Sequence, residues 1–231
     1  MRRGLAPLLV YLQGDEVLHE ADLPGIREGC EARLDDARVD GFVFDYLHFW
    51  GSYDRYLRSH AWYAREIRII RNDPDIHSLN DAQSFRRNPD FDGMDYRSKK
   101  GTSKLACVAS GARVFHYGHV RPPRTMAAKS RAFSAHHREH ADGDPVAEDA
   151  AFEYGSMRFA RTFRGTHPAV MARRLAAFDW GDELREVVPT AGRALHRHEQ
   201  FRNRLLTWVE DHLNGGRALF QSEHFRLLAD R

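Results

Sequence analysis

Three polar clusters, each directly after an apolar run or close to a turn, hold the side-chain types that handle phosphates and protons. Gln13-Gly14-Asp15-Glu16 follows the apolar run Pro7-Leu8-Leu9-Val10, which reads as one buried parallel strand. In open α/β sheets ligands bind beyond the carboxyl ends of strands. Hard divalent cations such as Mg²⁺ and Mn²⁺ want oxygen ligands, and on a diphosphate they take only one or two protein carboxylates. The Asp15-Glu16 pair supplies them; the competing use of such acids is to cap a helix or close a turn.

The second cluster, His116-Tyr117-Gly118-His119-Val120-Arg121-Pro122-Pro123, also follows a strand-like run. His116 there can complete a metal site, while Arg121, Lys129 and Arg131 can face phosphate oxygens. The alternative is a packed histidine and a solvated, charged helix. With the two strand ends side by side, Asp15 and His116 would share one ion. The third cluster, Asn80-Asp81-Ala82-Gln83-Ser84-Phe85-Arg86, offers Asp81 as a general base that takes the acceptor proton as a new glycosidic bond forms. Asp45, Asp54 and Glu66 compete for that role, and a plain N-cap competes for Asp81.

Other groups point less sharply. The stretch Trp50 to Tyr63 is dense in rings that fill a core or stack on a sugar; Trp50 and Tyr53 are the candidate sugar contacts, in and beside Gly51-Ser52-Tyr53. His136-His137-x-x-His140 lacks the glutamate of a zinc helix and reads as surface, as do His196 and His198.

The elements that must position these residues read as α/β up to about residue 121 and mostly helical afterwards, with 1–121 and 122–231 as the two parts. Ile26, Cys30 and Leu34 recur at helical spacing in 22–36, with Asp22 able to cap and Pro24 in the first turn. Residues 41–49 and 67–70 read as strands, and so do 104–109 and 113–117 as two short ones. Residues 88–101 form a polar loop and 141–148 a linker. Helices are expected over 122–135, 166–178 and 193–213, the last with Phe201, Leu205, Trp208 and Val209 as its apolar stripe.

The totals bound the class. The 231 residues, 42% hydrophobic and 29% charged, suit a globular protein with a sizeable core. A formal net charge of +2 argues against a nucleic-acid binder, although arginines cluster at 55–71 and 121–138. Two cysteines, Cys30 and Cys107, build no disulfide framework and fit a reducing, cytoplasmic setting. No apolar run reaches the length of a membrane span, which leaves peripheral membrane contact open.

Several segments, in order, resemble bacterial family 2 glycosyltransferases of the GT-A fold. They are YLQGDEVLHEADLPGIRE, YLHFWGSYDRY, WYAREIRIIRN, DAQSFR, FHYGHVRPP with MAAKSR, and FRGTHPAVMARRL, spanning residues 11 to 175. The resemblance implies a partial GT-A-type sheet and transfer of a sugar from a nucleotide-diphosphate donor to a glycan or lipid-linked acceptor, in cell-surface polysaccharide assembly. It also implies a divalent metal, Mg²⁺ or Mn²⁺. The family's Asp-x-Asp motif falls on Gln13 and Asp15, which makes Asp15 the expected ligand and Gln13 and Glu16 its neighbours at the diphosphate. His116 matches a histidine that follows a late strand. The nucleotide-cradling strands that precede this motif in such enzymes have no counterpart here, so the chain is expected to be poorly stable and inactive alone. The alternative to an enzyme is a non-catalytic protein that holds an anionic glycan or phosphate.

Overall fold

The computed structural model describes residues 6–80, 83–137, 151–184, 193–215, 218–219 and 223–229. Its strands in chain order are β1 (Leu8–Val10), β2 (Glu16–Leu18), β3 (Gly41–Trp50), β4 (Arg55–Leu57), β5 (Arg65–Arg71), β6 (Ile76–Leu79), β7 (Ser84–Arg87), β8 (Ser103–His119), β9 (Arg161–Thr162) and β10 (Phe225–Leu227). The helices are α1 (Leu23–Ala32), α2 (Pro123–His137), α3 (Ala172–Ala176) and α4 (Phe201–Leu213). The protein is mixed α/β, with strand order β1-β5-β3-β8-β7-β6 and both pairing senses. The pair β10-β8 is parallel, while β1-β5, β3-β5, β6-β7 and β7-β8 are antiparallel. Two compact units divide the chain: Met1–Tyr46 with Tyr63–Phe115 and Phe220–Arg231, and Leu47–Trp62 with His116–Leu219.

In the first unit the aromatic density of β3 does two jobs. Alternate side chains of a strand point to opposite faces, and here both faces are covered. Phe42, Phe44 and Tyr46 pack with Ile26 of α1, Val108 and Val114. Val43 packs on the other side with Ile67, Ile70, Leu105 and Phe225. Gly41 lets β5 come close, because a Cβ there would lie 2.4 Å from the Ile69 carbonyl oxygen. The β3-β5 register slips by one residue, from Phe42↔Ile69 to Val43↔Ile67. Arg68 is the extra residue of this bulge, and a bulge re-aims its side chain. Arg68 is fully buried as a result.

Several local expectations change. The run at Leu8–Val10 is an antiparallel terminal strand, not a buried parallel one, and Leu9 and Val10 are exposed because only β5 pairs with it. Strand β8 is one 17-residue strand rather than two, with Gly111 at φ 73° accommodating the irregularity within it. The hairpin β6-β7 was not anticipated. Asp22 precedes α1 without a side-chain cap bond; His19 Nδ1 instead accepts from the Ala21 N–H ahead of it.

In the second unit, β4 pairs with β9 and with His48 and Phe49 of β3. Trp50, Leu57, Met126 of α2, Tyr154 and Ala160 form its core, with Trp62, Phe152, Met157 and Leu184 against it. The expected helix over 166–178 is a 3₁₀ turn, Ala169–Met171, followed by the short α3. Helix α4 begins only at Phe201, and its expected core stripe faces outward: Phe201, Leu205 and Trp208 are exposed. Polar contacts decide this orientation, since Glu210 lies 2.6 Å from His60 and Asp211 pairs with Arg161.

Candidate functional site

The second unit gathers most of the nominated residues around the ends of β3 and β8. Successive side chains of the two neighbouring strands meet in pairs, as cross-strand packing requires. His48 Nδ1 and His116 Nδ1 are 3.0 Å apart, both rings buried, so one carries the shared proton and donates while the other accepts. Phe49 stacks on Tyr117 with centroids 4.8 Å apart, and Trp50 stacks on His119 at the same distance. Trp62 closes over His48 and His119, at 5.0 and 5.1 Å.

A hydrogen-bond chain then fixes the segment after β8. Trp50 Nε1 donates to the Tyr154 carbonyl (2.9 Å), and the Tyr154 hydroxyl donates to the Arg121 carbonyl (2.8 Å). Lys129, on α2, donates to the Gly118 carbonyl between the two histidines at 2.8 Å. Lys129 therefore braces the strand end with its ammonium group. Arg121 and Arg131 differ: Arg121 Nε and Arg131 Nη1 are buried with no hydrogen-bond partner among the described residues. Burial pushes the Tyr53 hydroxyl up, and the nearby Arg174 and Arg121 cations oppose that shift. Among the described residues, then, cationic nitrogens stand beside an aromatic and imidazole wall.

Trp50 and Tyr53 do not offer open faces for a sugar. Trp50 is packed by Tyr154, His196 and His198, and Tyr53 by Tyr117, Phe178 and Trp180. Their rings have become core, as ring packing favours. His198 is likewise buried rather than a surface residue, against Trp50 at 4.9 Å. Burial, with His196 beside it, lowers its imidazole to about 4, so it is neutral near pH 7. The sequence signal for it was weak, because an H-x-H pair in a polar segment says nothing of the tryptophan it will meet.

The first unit holds the other strand end. The Glu16 N–H donates to the Gln13 carbonyl (3.0 Å), and the Gln13 N–H donates to Glu16 Oε2 (3.1 Å), which closes a turn with half-buried Asp15 at its tip. Glu16 itself is spoken for. Arg68 donates to both its oxygens at 2.8 Å, and Tyr46 adds a third donor at 2.8 Å. Both charged side chains are fully buried. A carboxylate with four donors has no lone pair left for a diphosphate's cation or a sugar hydroxyl, so Glu16 shapes the turn instead of facing a ligand. Burial, above all, pushes the Tyr46 and Tyr63 hydroxyls beside this pair up. Glu66 is buried with His224 Nδ1 3.1 Å away, while Asp45 and Asp54 are exposed.

Gln13, Asp15 and Glu16 thus belong to the first unit; Trp50, Tyr53, His116, Arg121, Lys129 and Arg131 belong to the second. Asp81 and His140 lie outside the described residues. Among the described residues, no three His, Cys, Asp or Glu side chains gather as a metal-holding group. No described helix is long and apolar enough to cross a membrane. A cleft of about 220 Å³ in the first unit is lined by Val39, Val108 and Leu228 with Arg38, whose guanidinium already holds Asp36 at 2.7 Å. No family model, no curated protein and no solved structure matches this chain.

Proposed function

We propose that this chain is a glycosyltransferase of GT-A type that moves a sugar from a nucleotide-diphosphate donor to a glycan or lipid-linked acceptor. The observation that carries the reading is that Arg121 Nε and Arg131 Nη1, two guanidinium nitrogens of the second unit, are buried without an acceptor among the described residues. Buried donors are nearly always satisfied, and an unsatisfied one calls for an explanation. Guanidinium groups match phosphate oxygens in charge and geometry, so a diphosphate is the ligand that would satisfy them. The imidazole and aromatic pairs around the ends of β3 and β8 hold the segment that leads to Arg121 rigid, which is what a binding constellation needs. The serial resemblance of the segments around both strand ends supports the same chemistry.

In this reading an acceptor hydroxyl oxygen attacks the anomeric carbon opposite the diphosphate. The new C–O bond forms as the bond to the diphosphate oxygen breaks, and the hydroxyl proton passes to a carboxylate, for which Asp81 is the nominee. Arg121 and Arg131 stabilise the negative charge that grows on the departing diphosphate. Asp15, half-buried on a turn held by Glu16 and Arg68, is the carboxylate that the resemblance nominates for a Mg²⁺ or Mn²⁺ ion. When bound, such a cation supplies further neutralisation of the leaving group.

Isothermal titration of the full chain with UDP and with GDP, each with and without Mn²⁺, tests the proposal. Binding is expected, with Arg121→Gln weakening it roughly tenfold or more and Asp15→Ala removing only the Mn²⁺-dependent share. A folded chain that binds neither nucleotide, or binds equally well after Arg121→Gln, contradicts it. Tight binding without any donor turnover would instead favour a non-catalytic phosphate- or glycan-holding protein.

A further inference from the structure

The outward face of α4 carries a different kind of surface. Phe201 is 75% exposed, Leu205 50%, Trp208 52% and Leu213 71%. At about 100° per residue, Phe201, Leu205 and Trp208 fall within about 60° of one another, so they form one row along the helix. Single exposed apolar side chains need no explanation, but a row of large ones on one helix does.

The charges around this row are sorted by sign. Both acids of the helix are drawn toward the body of the unit. Glu210 is buried, 2.6 Å from His60 Nδ1, and also accepts from the Leu219 N–H at 2.7 Å. Asp211 pairs with Arg161 and Arg58. The basic side chains are exposed: Arg202 and Arg204 lie on the two flanks of the row, and Arg197 just before it. The Arg204 guanidinium lies 4.5 Å over the Phe159 ring, which Arg158 also covers at 4.8 Å. Trp208 stacks on His212, with centroids 5.0 Å apart. The face is therefore apolar along its centre and cationic at its rim, with no acid of the helix exposed.

We propose that this face seats the protein on an anionic phospholipid surface. Phe201, Leu205 and Trp208 enter the boundary between headgroups and acyl chains, and Arg202 and Arg204 reach the lipid phosphates. An interfacial helix has this division of labour, with aromatic and aliphatic side chains down and arginines at headgroup level. A second copy of the chain is the poorer occupant, since a self-complementary contact through this face would set the same basic rim against itself. None of the residues of the histidine site takes part.

Co-sedimentation of the full chain with vesicles of phosphatidylcholine alone, and of phosphatidylcholine with phosphatidylglycerol, tests the idea. The chain is expected to sediment with the anionic vesicles, less so at high salt, and weakly with the neutral ones. Tryptophan emission should shift to the blue on binding, a shift that Trp208→Ser removes because Trp50 and Trp180 are already buried and half-buried Trp62 packs against the Trp50 cluster. Phe201→Ser with Trp208→Ser should weaken partitioning roughly tenfold or more. Arg202→Gln and Arg204→Gln should each cost about fivefold, on anionic vesicles only. All four positions are exposed, so circular dichroism should find each variant folded. A folded chain that stays in the supernatant with both vesicles overturns the proposal. So does undiminished sedimentation of the Phe201→Ser, Trp208→Ser variant, or a solution dimer that this variant dissolves.

Discussion

The two units differ in how far the arginines packed into them find acceptors. In the first, Arg68, Arg71 and Arg87 are well supplied with acceptors. Arg68 has both Glu16 oxygens and the carbonyls of Ile67 and Gln83. Arg71 donates to four carbonyls, those of Arg33, Leu34, Asp36 and Val39, and Arg87 bridges Asp40 and Asp73. In the second, Arg161 is paired with Asp211, and Arg193 with Glu199 and Glu153 although its Nε makes no hydrogen bond; among the described residues Arg121 Nε and Arg131 Nη1 are buried without an acceptor. Saturated cations build a scaffold. Cations left short of acceptors in a packed wall are better explained by something that arrives from outside.

The contrast breaks most visibly at the Glu16–Arg68 pair. Glu16→Ala or Arg68→Met leaves a buried charge uncompensated, which typically costs 3–5 kcal/mol, of order half the stability of a domain. Urea unfolding of the two single variants should show that loss, and the double variant should recover part of it. Recovery matters, because it separates the stranded charge from simple loss of packing.

Acid should weaken the second unit in two stages. The folded chain keeps His198 neutral down to about 4 while the unfolded chain protonates it near 6.5. Between those values only the unfolded chain binds the proton, so stability falls as pH drops, by up to about 3 kcal/mol. Burial pushes Glu199 up, but hydrogen bonds from Arg193 and from the His196 and Ser156 N–H groups win and hold it at about 2. Its contribution is present above its ordinary 4.5 and is lost as pH falls from there toward 2. His198→Asn should flatten the first stage in pH-dependent melts and leave the second.

The smallest effect sharpens the comparison. Arg121→Gln removes Nε, a donor without an acceptor among the described residues, so it should change stability by less than about 1 kcal/mol, in contrast to Arg68→Met. Thermal melts of the two variants side by side check this.

How legible all this was in the chain depends on range. Local density was enough for β3, where GFVFDYLHFW is almost wholly apolar and aromatic, and for the isoleucine-rich β5. The bulge at Arg68 has no local signal, since one skipped residue in the register arises only when β3 and β5 pair. Periodicity in α4 revealed a stripe but not which way it faces. That was decided by His60 and Arg58, some 150 residues away in sequence from Glu210 and Asp211. The same holds for the site. The segment around His116 announced itself by composition, but its partner His48 looked like one more residue of an aromatic strand until β8 lay beside it. Glu16 was misread for the opposite reason: an acid at a strand end looks available until a buried arginine from another strand takes it.

The central claim is that Arg121 and Arg131 wait for an anion while the arginines of the first unit do not. Titration of the full chain with inorganic pyrophosphate, in the wild type, Arg121→Gln and Arg87→Gln, addresses it directly. The account predicts binding that Arg121→Gln weakens by roughly tenfold or more and Arg87→Gln leaves unchanged. Equal weakening by both variants, or a folded wild type that binds no pyrophosphate, would contradict it.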